Sequence, residues 1–539
     1  MRAISLFLFV VCVLFCGRCV FGQGTYTNPI IDADYSDPDV IRVGDDFYLT
    51  ASSFNSVPGL PILHSRDLVY WKIVGHALQS LPPQDFFARP QHGNGVWAPA
   101  IRFHNNEFYI FYGDPDFGIY LVKARNAAGP WSKPLLIRAA KGWIDPCPFW
   151  DDDGNAYLVH AWANSRSGIK SILTINRMSA DGTKLLDDGK MVFDGRVNHP
   201  TIEGPKLYKR HGYYYIFAPA GGVTSGWQTV LRARDIYGPY EDRVVMDQGH
   251  TDTNGPHQGG WVELKSGESW FVHFQDRQAF GRVVHLQPVT WQNDWPVIGI
   301  DKDGDGKGEP VAGFRKPNVG REYPVQTPQT SDEFGGVSLG LQWQWHANPV
   351  ERWSSLTARS GWLRLTAQPW PANGKNLWAV PNLLLQKLPS REFSVTTFVD
   401  VSHLREGERT GLLMMGRDYS YLAVTRGPRG LRLVRVVCPD AVKGGEEKEL
   451  GAVELSNPSI YLRVDVSGDA VCRFTYSLDG KLFEVLGDTF KAQPGMWIGA
   501  KVGLFSLASA GATEYGHAEY DWFRFKPQMT LMMKKTGSG

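Results

Sequence analysis

Three carboxylates occupy matching places in this chain. Asp37, Asp145 and Glu203 stand eleven or twelve residues before an aromatic residue, Tyr48, Tyr157 and Tyr215 respectively. Between acid and aromatic lies a turn signal, such as Arg210-His211-Gly212 ahead of Tyr213-Tyr214-Tyr215-Ile216-Phe217. Each segment therefore reads as a hairpin whose first strand begins at the acid. Two further hairpins carry other residues at that place, Trp97 twelve before Tyr109 and His257 fourteen before Phe271. Two opposed carboxyls can do acid–base work: a protonated one gives its proton to a leaving oxygen, and an ionised one activates water or attacks carbon. A third nearby raises the acid's pKa by like-charge repulsion. Singly, each acid is an ordinary turn residue before a strand; their shared place in a repeat argues otherwise.

The repeat has a second marker. The aromatic anchors Tyr48, Tyr109, Tyr157, Tyr215 and Phe271 are 61, 48, 58 and 56 residues apart. A later phrase in each unit, marked by Arg66, Arg125, Arg177, Arg234 and Gln287, keeps spacings of 59, 52, 57 and 53. Units of this length are propeller blades, so residues 23–310 are expected to form a five-bladed β-propeller. Its innermost strands line a central channel, where equivalent strand starts converge at one mouth. The chain has no nucleophilic Ser or Cys motif, Cys/His metal set or phosphate-cradling glycine loop. Hydrolysis of a glycosidic bond is the reaction for which the carboxyl pair suffices.

The rest of the chain sets the context. An apolar run over residues 4–16 follows Arg2 and ends in Val20-Phe21-Gly22. It reads as a signal peptide, 1–22, too short to span a bilayer, so a secreted or periplasmic protein with no membrane span is expected. The remaining chain of about 515 residues is too long for one domain. Basic residues number 56 against 55 acidic ones, which leaves no basic field for nucleic acid, and nothing points to a protein partner. A linker over 311–330 leads to alternating runs over 331–527, such as Phe393-Ser394-Val395-Thr396-Thr397-Phe398-Val399, that read as an antiparallel β-sandwich. The whole is all-β, with a disordered tail over 528–539.

Three cysteines, Cys147, Cys438 and Cys472, follow the leader. Cys147 is read as a packing residue, and pairing of Cys438 with Cys472 is left open. Asp301, Asp303 and Asp305 with Gly306 match the start of a calcium loop, but position twelve is Ala312. They read either as a solvated turn or as a structural calcium site.

Several phrases resemble one family. Asn28-Pro29-Ile30 leading to Ser36-Asp37-Pro38-Asp39, then Trp97-Ala98-Pro99, Ile144-Asp145-Pro146, Glu203-Gly204-Pro205 and Gly281-Arg282 are similar to glycoside hydrolase family 43. The resemblance is to its two-domain β-xylosidase and α-L-arabinofuranosidase type, whose concanavalin A-like (jelly roll) second domain matches Leu341-Gln342-Trp343-Gln344-Trp345. It implies Asp37 as general base, Asp145 as pKa modulator, Glu203 as general acid, an inverting mechanism and no required cofactor. It further implies that Arg282 reaches the sugar hydroxyls and the carboxylates, that His257 lies near the channel floor, and that Phe54 and Trp97 are pocket walls. Ala100 departs from the polar residue of many relatives, which puts a contact in doubt. Asp34 and Asp39 are read as turn or rim residues, and His257 stays open between core histidine and site residue. The expected activity is exo-acting release of terminal α-L-arabinofuranosyl or β-D-xylosyl units from plant hemicellulose oligosaccharides (xylan, arabinoxylan, xyloglucan). An endo-arabinanase, which needs an open groove, and a non-catalytic carbohydrate-binding propeller are the alternatives. The sandwich is expected to pack on the propeller and to place a loop at the pocket mouth.

Overall fold

The computed structural model describes residues 24–527; the leader 1–22 and the tail 528–539 lie outside the described residues. Five four-stranded antiparallel sheets follow one another along the chain. Their innermost strands are Asp39–Val43, Trp97–His104, Trp143–Trp150, Lys206–Arg210 and His257–Glu263. Each pairs with a second strand that carries the aromatic anchor: Asp46–Thr50, Glu107–Asp114, Ala156–Trp162, Tyr213–Ala220 and Ser269–Asp276. The five-bladed propeller read from the repeat is the observed fold.

Proline shapes the channel end of these strands. Pro38 and Pro205 immediately precede their strands, while Pro99 and Pro146 lie inside theirs. Pro has no N–H to give to a ladder, and the pairing is irregular there, between Trp97 and Ala100 and between Ile144 and Cys147. A similar irregularity falls between His257 and Gly259. The residues just ahead of each proline are thereby released from the ladder and free to turn into the channel mouth.

The ring is fastened at its ends. Thr25–Thr27 pairs with Gly313–Arg315, so part of the segment expected as linker lies in a strand against the propeller's start. Asn28 Nδ2 donates to Leu286 O and Val311 O, and Asn28 Oδ1 accepts from Leu286 N, at 2.8–2.9 Å. Adjacent blades meet through apolar layers such as Val159, Ile216 and Leu231, each side chain contributing about 1.5–3 kcal/mol by leaving water.

The second domain stacks two antiparallel-rich sheets of eight strands, with Val395, Leu412, Leu422, Leu433, Val464 and Phe523 filling the space between. Cys438 ends Gly430–Cys438 in one sheet and Cys472 lies in Val471–Ser477 of the other; both, like Cys147, are free and buried. Nearness in sequence did not bring these two thiols together, because the intervening chain crosses from sheet to sheet.

The domains are joined through backbone as well as side chains. Val57 and Trp345 exchange both backbone hydrogen bonds, at 3.0 and 2.5 Å. Asn348 does the same for Leu81 with its side-chain amide, at 2.7 and 2.9 Å, and His92 stacks on Trp378 at 3.5 Å.

Candidate active site

The released strand starts meet in a cavity of about 110 Å³ lined by Asp37, Asp145 and Glu203 from three blades. Asp37 precedes the first blade's inner strand, Asp145 is the third residue of the third blade's, and Glu203 stands three residues before the fourth blade's. A larger cavity of about 400 Å³ at the domain junction, lined by Pro29, His76, Gln386 and Phe525 among others, includes only Asp32 of the chain's acids. Acid–base chemistry needs opposed carboxyls, so it belongs to the smaller cavity.

Each carboxyl is held differently. Ser52 Oγ donates to Asp37 Oδ2 at 2.5 Å, and Arg282 Nη1 to Asp37 Oδ1 at 3.1 Å. Asp145 is buried, and its Oδ2 accepts from the backbone N–H of Gly204 at 2.7 Å and from Gln258 Nε2 at 3.5 Å. Burial raises its pKa, opposed by the Gly204 N–H, and the charge of Asp37 raises it further. Glu203 lines the pocket with a side chain 30 % exposed. Burial on its protein side raises its pKa, and the neighbouring charges of Asp145 and Asp37 add to that, against the pull of Arg282. The result is one carboxyl held by two donors and one biased toward its proton.

His257 is fully buried, with Nε2 3.5 Å from Glu203 Oε1 and no hydrogen-bond partner on either ring nitrogen. Burial, then Arg282 and His273, push its pKa down to about 3. It is therefore a neutral imidazole beside Glu203, not a counter-cation. Phe54 and Trp97 line the pocket as expected, joined by Val223 and Gln258. Trp497 of the second domain completes the wall, its ring 6.3 Å from Trp97 in an edge-on arrangement and 5.9 Å from the Arg282 guanidinium. The sandwich thus reaches the mouth through this one indole.

Backbone strain gathers here. Of the eleven lining residues, Asp37, Phe54, Asp145, Gln258 and Trp497 have positive φ, at 53°, 50°, 56°, 30° and 64°. Such conformations cost on the order of 1–3 kcal/mol each outside glycine and persist where the surroundings enforce them, typically at functional sites.

Some expectations are corrected. Asp34 and Asp39 are not rim residues: they are 3 % and 0 % exposed. Asp39 Oδ2 accepts from Arg102 Nη1 at 2.6 Å and Ile101 N at 2.8 Å, a buried carboxyl paired with a partly buried guanidinium. Ala100 pairs with Phe111 inside its blade and does not line the pocket, so a polar residue there would face packing. Gln258 and Trp497 were not singled out from the sequence. Gln258 adjoins His257 and was within reach of the repeat logic, whereas Trp497 lies in a domain without a period. Asp301, Asp303 and Asp305 bring oxygens within 4.8 Å of one another, as a hard cation requires. Those carboxylates already accept the N–H groups of Gly304, Gly306 and Lys307, and Lys307 Nζ sits 2.8 Å from Asp305.

This geometry defines a glycoside hydrolase built on a five-bladed propeller with a concanavalin A-like partner. Residues 26–296 match the model of "Glycosyl hydrolases family 43", and residues 331–526 that of "Beta xylosidase C-terminal Concanavalin A-like domain". The chain belongs to glycosyl hydrolase family 43. It is 41 % identical over 490 residues to a putative beta-xylosidase of Xylanibacter ruminicola, covering 90 % of this chain and 87 % of the relative. It is 29 % identical to a non-reducing end alpha-L-arabinofuranosidase of Bacteroides ovatus, over 96 % and 98 % of the two chains. The solved xylan beta-1,4-xylosidase of Bacillus halodurans superposes with a TM-score of 0.82 at 27 % identity, over 93 % and 99 %.

Proposed function

We propose that the protein is an exo-acting, inverting hydrolase that releases terminal α-L-arabinofuranosyl or β-D-xylosyl units from plant hemicellulose fragments. The observation that carries this reading is the convergence of three carboxyls from three blades on one small pocket. Three acids share a cavity of about 110 Å³ whose wall is completed by Trp497, a space on the order of one sugar ring. An endo-arabinanase would need a groove open at both ends. A binding propeller would have no use for a carboxyl biased toward its proton. The relatives' names supply the two sugar classes.

In this reading Glu203 holds the catalytic proton and gives it to the glycosidic oxygen as the C–O bond breaks. Asp37, held in place by Arg282 and Ser52, takes a proton from water as that water attacks the anomeric carbon from the opposite face. The product carries the inverted configuration, and the two carboxyls exchange their protons with solvent before the next turnover. Asp145 raises the proton affinity of Glu203 by its charge and holds the neighbouring peptide through Gly204. Arg282 and Gln258 face the sugar hydroxyls, and Phe54, Trp97 and Trp497 offer rings against the apolar face of the sugar. Export through the 1–22 leader belongs to the same proposal, since hemicellulose lies outside the cell. No cofactor enters the chemistry, and calcium at Asp301, Asp303 and Asp305 would be structural only.

The deciding experiment is release of 4-nitrophenol from the α-L-arabinofuranoside and the β-D-xyloside. Hydrolysis of at least one, with xylo- or arabino-oligosaccharides shortened by single residues from the non-reducing end, is expected. Inactivity on both, or release of internal fragments from a polymer, overturns the reading.

A further inference from the structure

The pocket is assembled from two domains, and one buried side chain touches the backbone of both at the point where they meet. Asp34 Oδ1 accepts from the backbone N–H of Arg282 at 2.9 Å and from Ser36 Oγ at 3.1 Å. Asp34 Oδ2 accepts from the backbone N–H of Gly499, in the second domain, at 3.0 Å. Tyr35 N donates to Arg282 O at 3.0 Å, and Ala500 N to Ala279 O at 2.7 Å, so both partner segments are held on either side of the carboxylate. Lys387 Nζ donates to the carbonyl oxygen of Asp34 at 2.5 Å.

The approach is close enough to require glycine on both sides. A Cβ at Gly281 would lie 2.4 Å from Asp34 Cγ, and one at Gly499 would lie 2.6 Å from Gly281 N. What these backbones carry matters more. Arg282 reaches the pocket floor and bonds Asp37, while Trp497, two residues before Gly499, stands at the mouth. Trp497 has φ of 64° and 49 % exposure, so packing covers about half of it and leaves its loop's tether a part in placing the ring.

We propose that Asp34 is a positioning residue that ties the second domain's loop to the catalytic floor. It sets the spacing between Arg282 and Trp497 and hence how tightly the mouth grips the substrate. This rests on the hydrolase reading above. A carboxylate suits the task because two N–H donors from different domains need two acceptor oxygens on one short side chain. Asparagine offers one acceptor and turns an amino group toward the second donor.

Hydrogen exchange read by mass spectrometry on the full chain tests the tether without reference to activity. In the wild type the Gly499 amide should exchange among the slowest of residues 494–500. In Asp34→Asn that segment should exchange at least tenfold faster. Lys387→Met, which removes the ammonium on the Asp34 carbonyl but leaves both carboxylate bonds, should leave it within twofold of wild type. Kinetically, Asp34→Asn should raise KM for an oligosaccharide about tenfold with kcat within about threefold, a loss of binding and not of chemistry. In a Trp497→Ala background the same substitution should add less than twofold.

A freely exchanging Gly499 amide in the wild type overturns the proposal, and decides it even where Asp34→Asn does not fold. So does an Asp34→Asn protein with unchanged exchange and KM, or a KM effect undiminished by Trp497→Ala. If the wild type hydrolyses neither aryl glycoside, the hydrolase reading fails while the exchange result still decides the tether.

Discussion

The backbone N–H of Gly204 donates to Asp145 Oδ2 at 2.7 Å, linking the fourth blade to the third. Glu203 is the residue before that N–H, so the charge that raises the acid's pKa also holds its peptide. Removing the charge has a determined sign. In Asp145→Asn, Glu203 loses a negative neighbour, becomes easier to ionise, and its pKa falls. The alkaline limb of kcat/KM should move to lower pH by about one unit. An unmoved limb in a pH–rate profile would show that the acid has been misassigned.

The raised carboxyl pKa values also bear on stability. A carboxyl whose folded pKa exceeds its unfolded value binds more protons folded than unfolded between those two values. Stability therefore falls as pH rises through that window, which for Glu203 starts at its unfolded value near 4.5 and ends at its raised folded one. Glu203→Gln removes the penalty. Its melting temperature should exceed wild type at pH 8, by about 2–4 °C, and should match it at pH 4. Scanning calorimetry at the two pH values is the check, and an equal difference at both would mean that packing, not ionisation, is responsible.

The roles of the two opposed acids separate by leaving group. Activated aryl oxygens need little protonation as they depart, so Glu203→Ala should lose about 10²–10⁴-fold on an oligosaccharide and much less on a 4-nitrophenyl glycoside. Asp37→Ala should lose activity on both, since water must be activated whatever leaves. Equal losses in Glu203→Ala on the two substrates would contradict the assignment.

How far these features were legible depended on periodicity. Tyr109, Tyr157, Tyr215 and Phe271 recur because four blades bury that aromatic on the second strand, with Tyr48 partly buried in the first, and the same period aligns Asp37, Asp145 and Glu203. Asp34 escaped because an acid near a turn has the same local pattern whether it faces water or two buried N–H groups. Trp497 escaped for a different reason. It comes from a sandwich loop 215 residues beyond Arg282, and no repeat in that domain marks it. Cys438 and Cys472 show the converse limit, since the strands that carry them belong to different sheets.

The stereochemistry of the product follows from how Asp37 is held. Asp37 and Glu203 stand on the first and fourth blades and approach the pocket from separate strand starts. A nucleophilic carboxylate has to contact the anomeric carbon itself, whereas a general base needs space for the water it activates. Asp37 is engaged on both oxygens, by Ser52 at 2.5 Å and by Arg282 at 3.1 Å. These bonds restrain it from moving onto the sugar and leave it well placed to take a proton from water. The separation of the two carboxyls in a substrate-bound crystal should accordingly fall in the inverting range of about 6.5–9.5 Å. The first-formed sugar, followed by proton NMR before mutarotation, should carry the anomeric configuration opposite to that of the substrate. Retention, or a glycosyl adduct on Asp37 detected by mass spectrometry, would make Asp37 a nucleophile and require a different account of its two restraining bonds.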